Sequence, residues 1–292
     1  MTNGTGPLVI AIPLVAAGAL YVTARNADGS PARGLSFGVE HIAAPGRRGY
    51  FSRGLGNEAN RAGETWVSGP LPLDGTYQAY GWKGNSFCVS KHVRITERQP
   101  DAEVELRFPV GEHFDGLVLD ANGNPVRDLE LKPSFRLNKD HWFGLAEVLT
   151  DEGGRFRLEN TTPTVGEYFV ELSAPGLRAE KVRLNFQSQP QAIRLQRGRS
   201  LTGLVVEADT GHVIPGAEVR AADLQHGDRP TLKTHTDGDG RFAFTSLADT
   251  DYTFFVEGAQ LDPNKKIRAD NSTNVLLAVK LYEWSELKPK RP

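Results

Sequence analysis

The chain has 292 residues, longer than a single domain of roughly 100–150, so two or three domains are expected. Its 39% hydrophobic and 24% charged residues suit a folded globular protein and exclude a disordered one. A net charge of -2 offers no overall field for nucleic acid or an anionic membrane, and a single cysteine, Cys88, excludes an intrachain disulfide framework and a cysteine-rich zinc module.

From the N-terminus, residues 7–22 form an apolar run, but residues 1–6 carry no Lys or Arg, and Pro13 and Gly18 interrupt it. A membrane helix needs about 20 unbroken apolar residues, so a strand suits this run better than a signal or anchor, and no membrane insertion is expected. Residues 8–14 are expected to end a preceding module or to add a strand to the first one. Three junctions then share one pattern. The first runs through Leu14, Gly18, Leu20 and Val22 to the turn residues Asn26, Asp28, Gly29 and Pro31. The second runs through Phe108, Gly111, Phe114, Gly116 and Val118 to Asp120, Asn122, Gly123 and Pro125. The third runs through Leu195, Gly198, Leu201, Gly203 and Val205 to Asp209, Thr210 and Gly211, after which a strand is expected to restart at Val213. Leu20, Phe114 and Leu201 recur at roughly 90-residue intervals, a domain-sized period rather than a solenoid one.

A second phrase follows each junction. Thr236, Asp237, Gly238, Asp239 and Gly240 lead into the alternating residues 241–244, and Thr150, Asp151, Glu152, Gly153 and Gly154 lead into 155–158. Residues 60–67 read as a worn copy. Asp and Gly stand where a hairpin turn needs them. Each phrase is followed by a strand opened by a tyrosine: Tyr77, Tyr168 and Tyr252. A period of two sends Tyr168, Val170 and Leu172 to one face, and Tyr252, Phe254 and Val256 likewise. Short alternating segments, bounded at intervals of roughly 8–12 residues by Gly, Pro, Asn or Asp, predict an all-β sandwich.

The run from Gly203 through Thr210, Gly211, Ile214, Pro215, Gly216 and Ala217 to Val219, followed by 236–244, resembles the carboxypeptidase regulatory-like domain. The resemblance is good over 201–256, fair over 114–172 and weak in the first repeat. It implies a transthyretin-like (prealbumin-like) Greek-key sandwich of about seven strands. The expected fold is therefore all-β, three tandem Greek-key β-sandwich modules. Their boundaries are a leading strand at 1–17, modules at 18–110, 111–198 and 199–283, and a basic tail at 284–292. The resemblance also implies accessory modules of bacterial envelope or secreted proteins, hence an extracytoplasmic location, with a cytoplasmic one as the alternative. Two enzyme families with this sandwich are tested by their signatures. Hydroxyisourate hydrolases end in Tyr-Arg-Gly-Ser, whereas this chain ends in Lys288, Pro289, Lys290, Arg291 and Pro292. Intradiol dioxygenases place a His-x-His iron motif downstream, and no histidine follows Phe244. A Lys–Asn isopeptide crosslink, found in related surface modules, lacks a lysine in 201–208.

Candidate sites are weighed against turn and packing chemistry. Asp237 and Asp239 are weak metal candidates, but the bidentate Glu and flanking helices of an EF-hand are missing, so a solvated turn is favoured and no metal or other cofactor is expected. Cys88 and His92 lie in a predicted strand, and Cys88 reads as core filler rather than a nucleophile. In the first module the alternation places Tyr77 and Ala79 inward and Gln78, Tyr80 and Trp82 outward, a candidate stacking platform for a sugar or a partner. The long segment 41–61 adds Arg47, Arg48, Tyr50 and Arg53 as candidate ligand contacts. The function expected is non-enzymatic: a spacer or docking scaffold whose partners are other domains of the same polypeptide or an envelope protein. A glycan bound by the first module, or regulation of an attached enzyme, stands as the alternative, and no nucleic-acid partner is expected.

Overall fold

A computed structural model describes residues 16–42, 51–53, 65–68, 70–224, 229–261, 266–269 and 274–281. Every regular element among them is a β-strand, so no helix there is long and apolar enough to cross a membrane. The expected leading strand at 8–14 and the basic tail lie outside the described residues.

The first strands are β1 (Ala17–Arg25), β2 (Ser36–His41), β3 (Phe51–Arg53), β4 (Thr65–Val67), β5 (Leu71–Pro72), β6 (Gly75–Lys83), β7 (Ser86–Val89), β8 (Val93–Ile95) and β9 (Asp101–Arg107). They form one sheet of order β4-β1-β5 with β9 beside β1, and another of order β3-β2-β6-β7 with β8 beside β6. The alternation on β9 is complete: Ala102, Val104 and Leu106 are buried, and the charged residues between them are exposed. They meet Leu20 and Val22 of their own sheet and Phe37, Val39, Tyr77 and Ala79 of the other in a single core.

The next set is β10 (Glu112–Leu119), β11 (Glu130–Arg136), β12 (Trp142–Gly144), β13 (Val148–Leu149), β14 (Arg155–Thr161), β15 (Glu167–Ala174), β16 (Leu177–Arg183) and β17 (Gln191–Arg194). Its sheets are β14-β10-β17 and β12-β11-β15-β16, with β13 beside β11. Phe186 links the layers, its ring 5.1 Å from Phe114 and 5.5 Å from Tyr168. The last set is β18 (Arg199–Glu207), β19 (Glu218–Ala222), β20 (Leu232–His235), β21 (Arg241–Leu247), β22 (Asp251–Val256), β23 (Ala259–Gln260), β24 (Lys266–Arg268) and β25 (Asn274–Leu281). Sheets β21-β18-β25-β23 and β20-β19-β22-β24 enclose Leu201, Val205, Phe242, Phe244, Tyr252, Phe254 and Leu277.

The sheets thus come in three pairs, with short marginal strands added to the seven expected in each. By compactness the chain divides in two: Met1–Glu112 with Asn160–Val165, and His113–Glu159 with Gly166–Pro292. The second unit holds both later sheet pairs. The strand expected to restart at Val213 does so only as a single bridge to Val206, and β19 begins at Glu218. Pro215 has no N–H to donate, and Gly216 takes φ +71°, so the backbone turns there instead of extending.

The first strand of each pair lies parallel to the last. β1 runs beside β9, β10 beside β17 and β18 beside β25. One residue of the repeated phrase is explained by packing across β18. Gly203 is paired with Phe242 of β21, and a Cβ on Gly203 would stand 2.4 Å from that ring and 2.6 Å from the Val275 carbonyl oxygen. A Cβ on Gly116 would likewise stand 2.2 Å from the Phe156 ring. In the first sandwich the sizes are rebalanced, with Val22 opposite Trp66. Overpacking of this kind costs about 1–3 kcal/mol, so Gly203→Ala should lower stability by that amount in urea denaturation. Gly238→Ala, whose Cβ would meet nothing within 4 Å, should stay within about 0.5 kcal/mol of the parent.

Candidate functional site

The tyrosines behave as the alternation requires. Tyr77, Tyr168 and Tyr252 are all buried. The Tyr77 hydroxyl donates to the Pro72 carbonyl at the end of β5 at 2.6 Å, and the Tyr252 hydroxyl accepts the Ala248 N–H at 2.8 Å, so each ties its strand to the segment before it. Gln78, Tyr80 and Trp82 stand outside this core, as predicted, but they do not make an open platform. Tyr80 is only 2% exposed and its ring closes over Gly38, where a Cβ would stand 2.2 Å from the hydroxyl. Trp82 stacks on it at 6.0 Å and is half-buried, and the Gln78 amide donates to the Ser90 carbonyl. Phe87, opposite Trp82, gives its N–H to the Thr162 hydroxyl at 2.8 Å, so residues 160–165 of the same compact unit pack at this face. Packing encloses the Tyr80 ring and covers part of Trp82. Arg47, Arg48 and Tyr50 lie outside the described residues; Arg53 ends β3, its backbone opposite Gly38.

The acidic turns use their carboxylates on the backbone. Asp237 Oδ1 accepts the N–H groups of Asp239 and Arg241 at 3.0 and 2.9 Å, and Gly240 closes the turn with φ +74°. Asp151 holds Gly153 and Arg155 in the same way, at 2.9 and 2.8 Å. The preceding threonines carry a device that reading the Asp and Gly alone missed. Thr236 donates to the Ile214 carbonyl and accepts the Ala217 N–H; Thr150 does the same with Val126 and Leu129. Among the described residues no group of three or more His, Cys, Asp or Glu could hold a metal.

Two features of the second unit stand out. One is the joint between its sandwiches. Residues 196–198 do not run free. Arg178 N–H donates to the Gln196 carbonyl and Gly198 N–H to the Gly176 carbonyl, both at 2.8 Å, with Leu177 bridged to Arg197 between them. Ser246 of β21 donates its hydroxyl to the Ala174 carbonyl at 2.7 Å. A Cβ on Gly198 would stand 2.6 Å from the Thr245 carbonyl oxygen and 2.8 Å from Ser246 Cα, so the close approach requires glycine.

The other is the outer face of β12-β11-β15-β16. The alternation that buries Tyr168, Val170 and Leu172 turns Phe169 and Glu171 outward. Trp142 reaches from β12 across the sheet, its ring 5.1 Å from Phe169. Arg136 lies 5.2 Å from the Trp142 centroid and 5.0 Å from that of Phe169, and Lys181 Nζ lies 4.1 Å from Trp142. Glu167 binds both Arg136 and Arg183, and Glu171 accepts from Lys181 at 3.0 Å. Trp142 remains 42% exposed. Phe169 was legible in the strand period; Trp142 was not, because its path over two neighbouring strands depends on their pairing.

Residues 200–281, which span the last sheet pair, match the family model of the carboxypeptidase regulatory-like domain. The third sandwich is thus similar to a carboxypeptidase regulatory-like domain. Among solved structures, the chain is similar to a streptococcal ancillary pilin at 11% identity and a TM-score of 0.27, over 91% of this chain and 99% of that one. It is similar to the Bacillus anthracis TIE protein at 18% identity and a TM-score of 0.26, over 91% and 51%. Two B repeat units of the collagen binding protein of Staphylococcus aureus share 9% identity over 90% and 75%, at a TM-score of 0.25. All three likenesses are distant. No curated protein matches the chain.

Cys88, in the first sandwich, is core and not a nucleophile in waiting. Burial pushes its thiol up to about 12, against a weaker opposing contact with the Gly81 carbonyl. An unfolded thiol titrates near 8.5, so the stability from burying the neutral form is complete below that pH and is lost as pH rises towards 12. Iodoacetamide at pH 8.5 should alkylate Cys88 about 10²-fold more slowly in the native protein than in urea.

Proposed function

We propose that this chain is a non-catalytic spacer or docking scaffold within a larger envelope or secreted protein. On this reading its modules occupy 18–110, 111–198 and 199–283, and its partners are other domains of the same polypeptide or a protein of the envelope. The family resemblance supports an extracytoplasmic place of work.

The joint around Gly198 carries the reading. A flexible connector leaves its backbone to water, whereas here the Gln196 carbonyl and the Gly198 N–H are bonded to the β15–β16 turn of the preceding sandwich, and Ala174 beside that turn accepts a side-chain bond from Ser246 of the following one. Strand polarity adds to it. Because the first and last strands of a sandwich are parallel, the chain enters at one end and leaves at the other. In the second unit the regulatory-like domain therefore begins at the far end of the sandwich before it, and the joint fixes its orientation.

Spin labels at Lys139→Cys and Asp239→Cys test this, since Cys88 is buried and will not label. Pulsed dipolar spectroscopy should give one narrow distance distribution in the parent and a broad one in the Gly198→Val, Ser246→Ala double variant with an unchanged circular dichroism spectrum. A broad distribution in the parent would overturn the proposal.

A further inference from the structure

We infer that the outer face of β12-β11-β15-β16 is a binding site for an uncharged glycan, stacked on Trp142. Three observations lead there. Trp142 is 42% exposed although its ring is held by Lys181, whose Nζ lies over it at 4.1 Å, with Phe169 at 5.1 Å and Arg136 at 5.2 Å. A ring held in this way has already lost its rotamer freedom, so a ligand that stacks on it meets little further ordering cost. Beside the ring stand planar hydrogen-bonding groups, Arg136 and its ion-pair partner Glu167, which also pairs with Arg183. A pyranose with equatorial hydroxyls has the matching shape: an apolar C–H face for the indole and a rim of hydroxyls for the guanidinium and carboxylate groups.

The charge state selects among ligands. Glu167 answers Arg136 and Arg183, and Glu171 answers Lys181, so the cations beside the ring are already paired. An anionic polymer would have to displace these carboxylates, and a neutral sugar would not. Lys132 at the other end of the face is likewise placed between Glu130 and Glu147, at 3.5 and 3.7 Å. A β-1,4-linked glucose polymer fits best, because its ring hydroxyls are equatorial and each ring turns a flat C–H face outward.

Affinity electrophoresis of the full chain through gels containing konjac glucomannan, hydroxyethyl cellulose or heparin tests the inference. The expected result is retardation by one or both neutral polymers, with the apparent Kd raised about 10-fold or more by Trp142→Ala and left unchanged by Trp82→Ala. Trp142→Tyr should keep part of the retardation, which separates loss of the ring from loss of the fold, and the thermal midpoint of each variant is measured alongside. No retardation by either neutral polymer, equal retardation of Trp142→Ala, binding to heparin alone, or a Trp142-dependent dimer in sedimentation would each overturn it.

Discussion

Each sandwich is closed by a ladder between strands far apart in sequence: Tyr21 beside Glu103, Val118 beside Ile193, Val205 beside Leu277. Without that ladder the first strand would keep only its antiparallel neighbours, and the inner faces of Leu20, Phe114 and Leu201 would lose one wall. The ladder is parallel, which local hairpins cannot produce, because two parallel strands need a long crossover between them. Here the whole of the opposite sheet serves as that crossover. The fold is therefore rich in non-local contacts, and its first strand cannot be satisfied until its last is in place.

In the second unit the same polarity sets how one sandwich follows the other. The chain leaves the first of the two at the end opposite its entry, and a few residues form the seam between them. Gly176, Gly198 and Ser246 join them through close backbone approach and one side-chain bond. Repeated glycines of the sequence thus have separate physical jobs. Gly198 admits a neighbouring backbone, Gly203 admits a cross-strand ring, and Gly240 turns the chain with φ +74°.

Much of this was legible from residues alone. A period of two is local, so the inward Tyr77, Tyr168 and Tyr252, the buried Val170 and Phe254 and the turns at Asp151 and Asp237 follow from the alternation and from turn chemistry. The match at 200–281 agrees with the run from Gly203 to Phe244. What depends on distant partners was not legible. Tyr80 points out of its core as the alternation says, yet it is buried, because exposure depends on what packs against an outer face rather than on strand period. The Trp142 cluster escaped for the same reason, since Arg136, Trp142, Phe169 and Lys181 come together only once β12, β11, β15 and β16 are paired.

On the proposed reading, the seam at Gly198 behaves as part of the fold and not as a linker. Native-state hydrogen exchange of the full chain, read at single amides, addresses that directly. The amides of Arg178 and Gly198 should exchange with an opening free energy close to that of core amides in β15 and β18, because their bonds pin residues 196–198 to the β15–β16 turn. Exchange of these two amides at the rate of exposed turn residues such as Gly238, with β15 and β18 still protected, would contradict it.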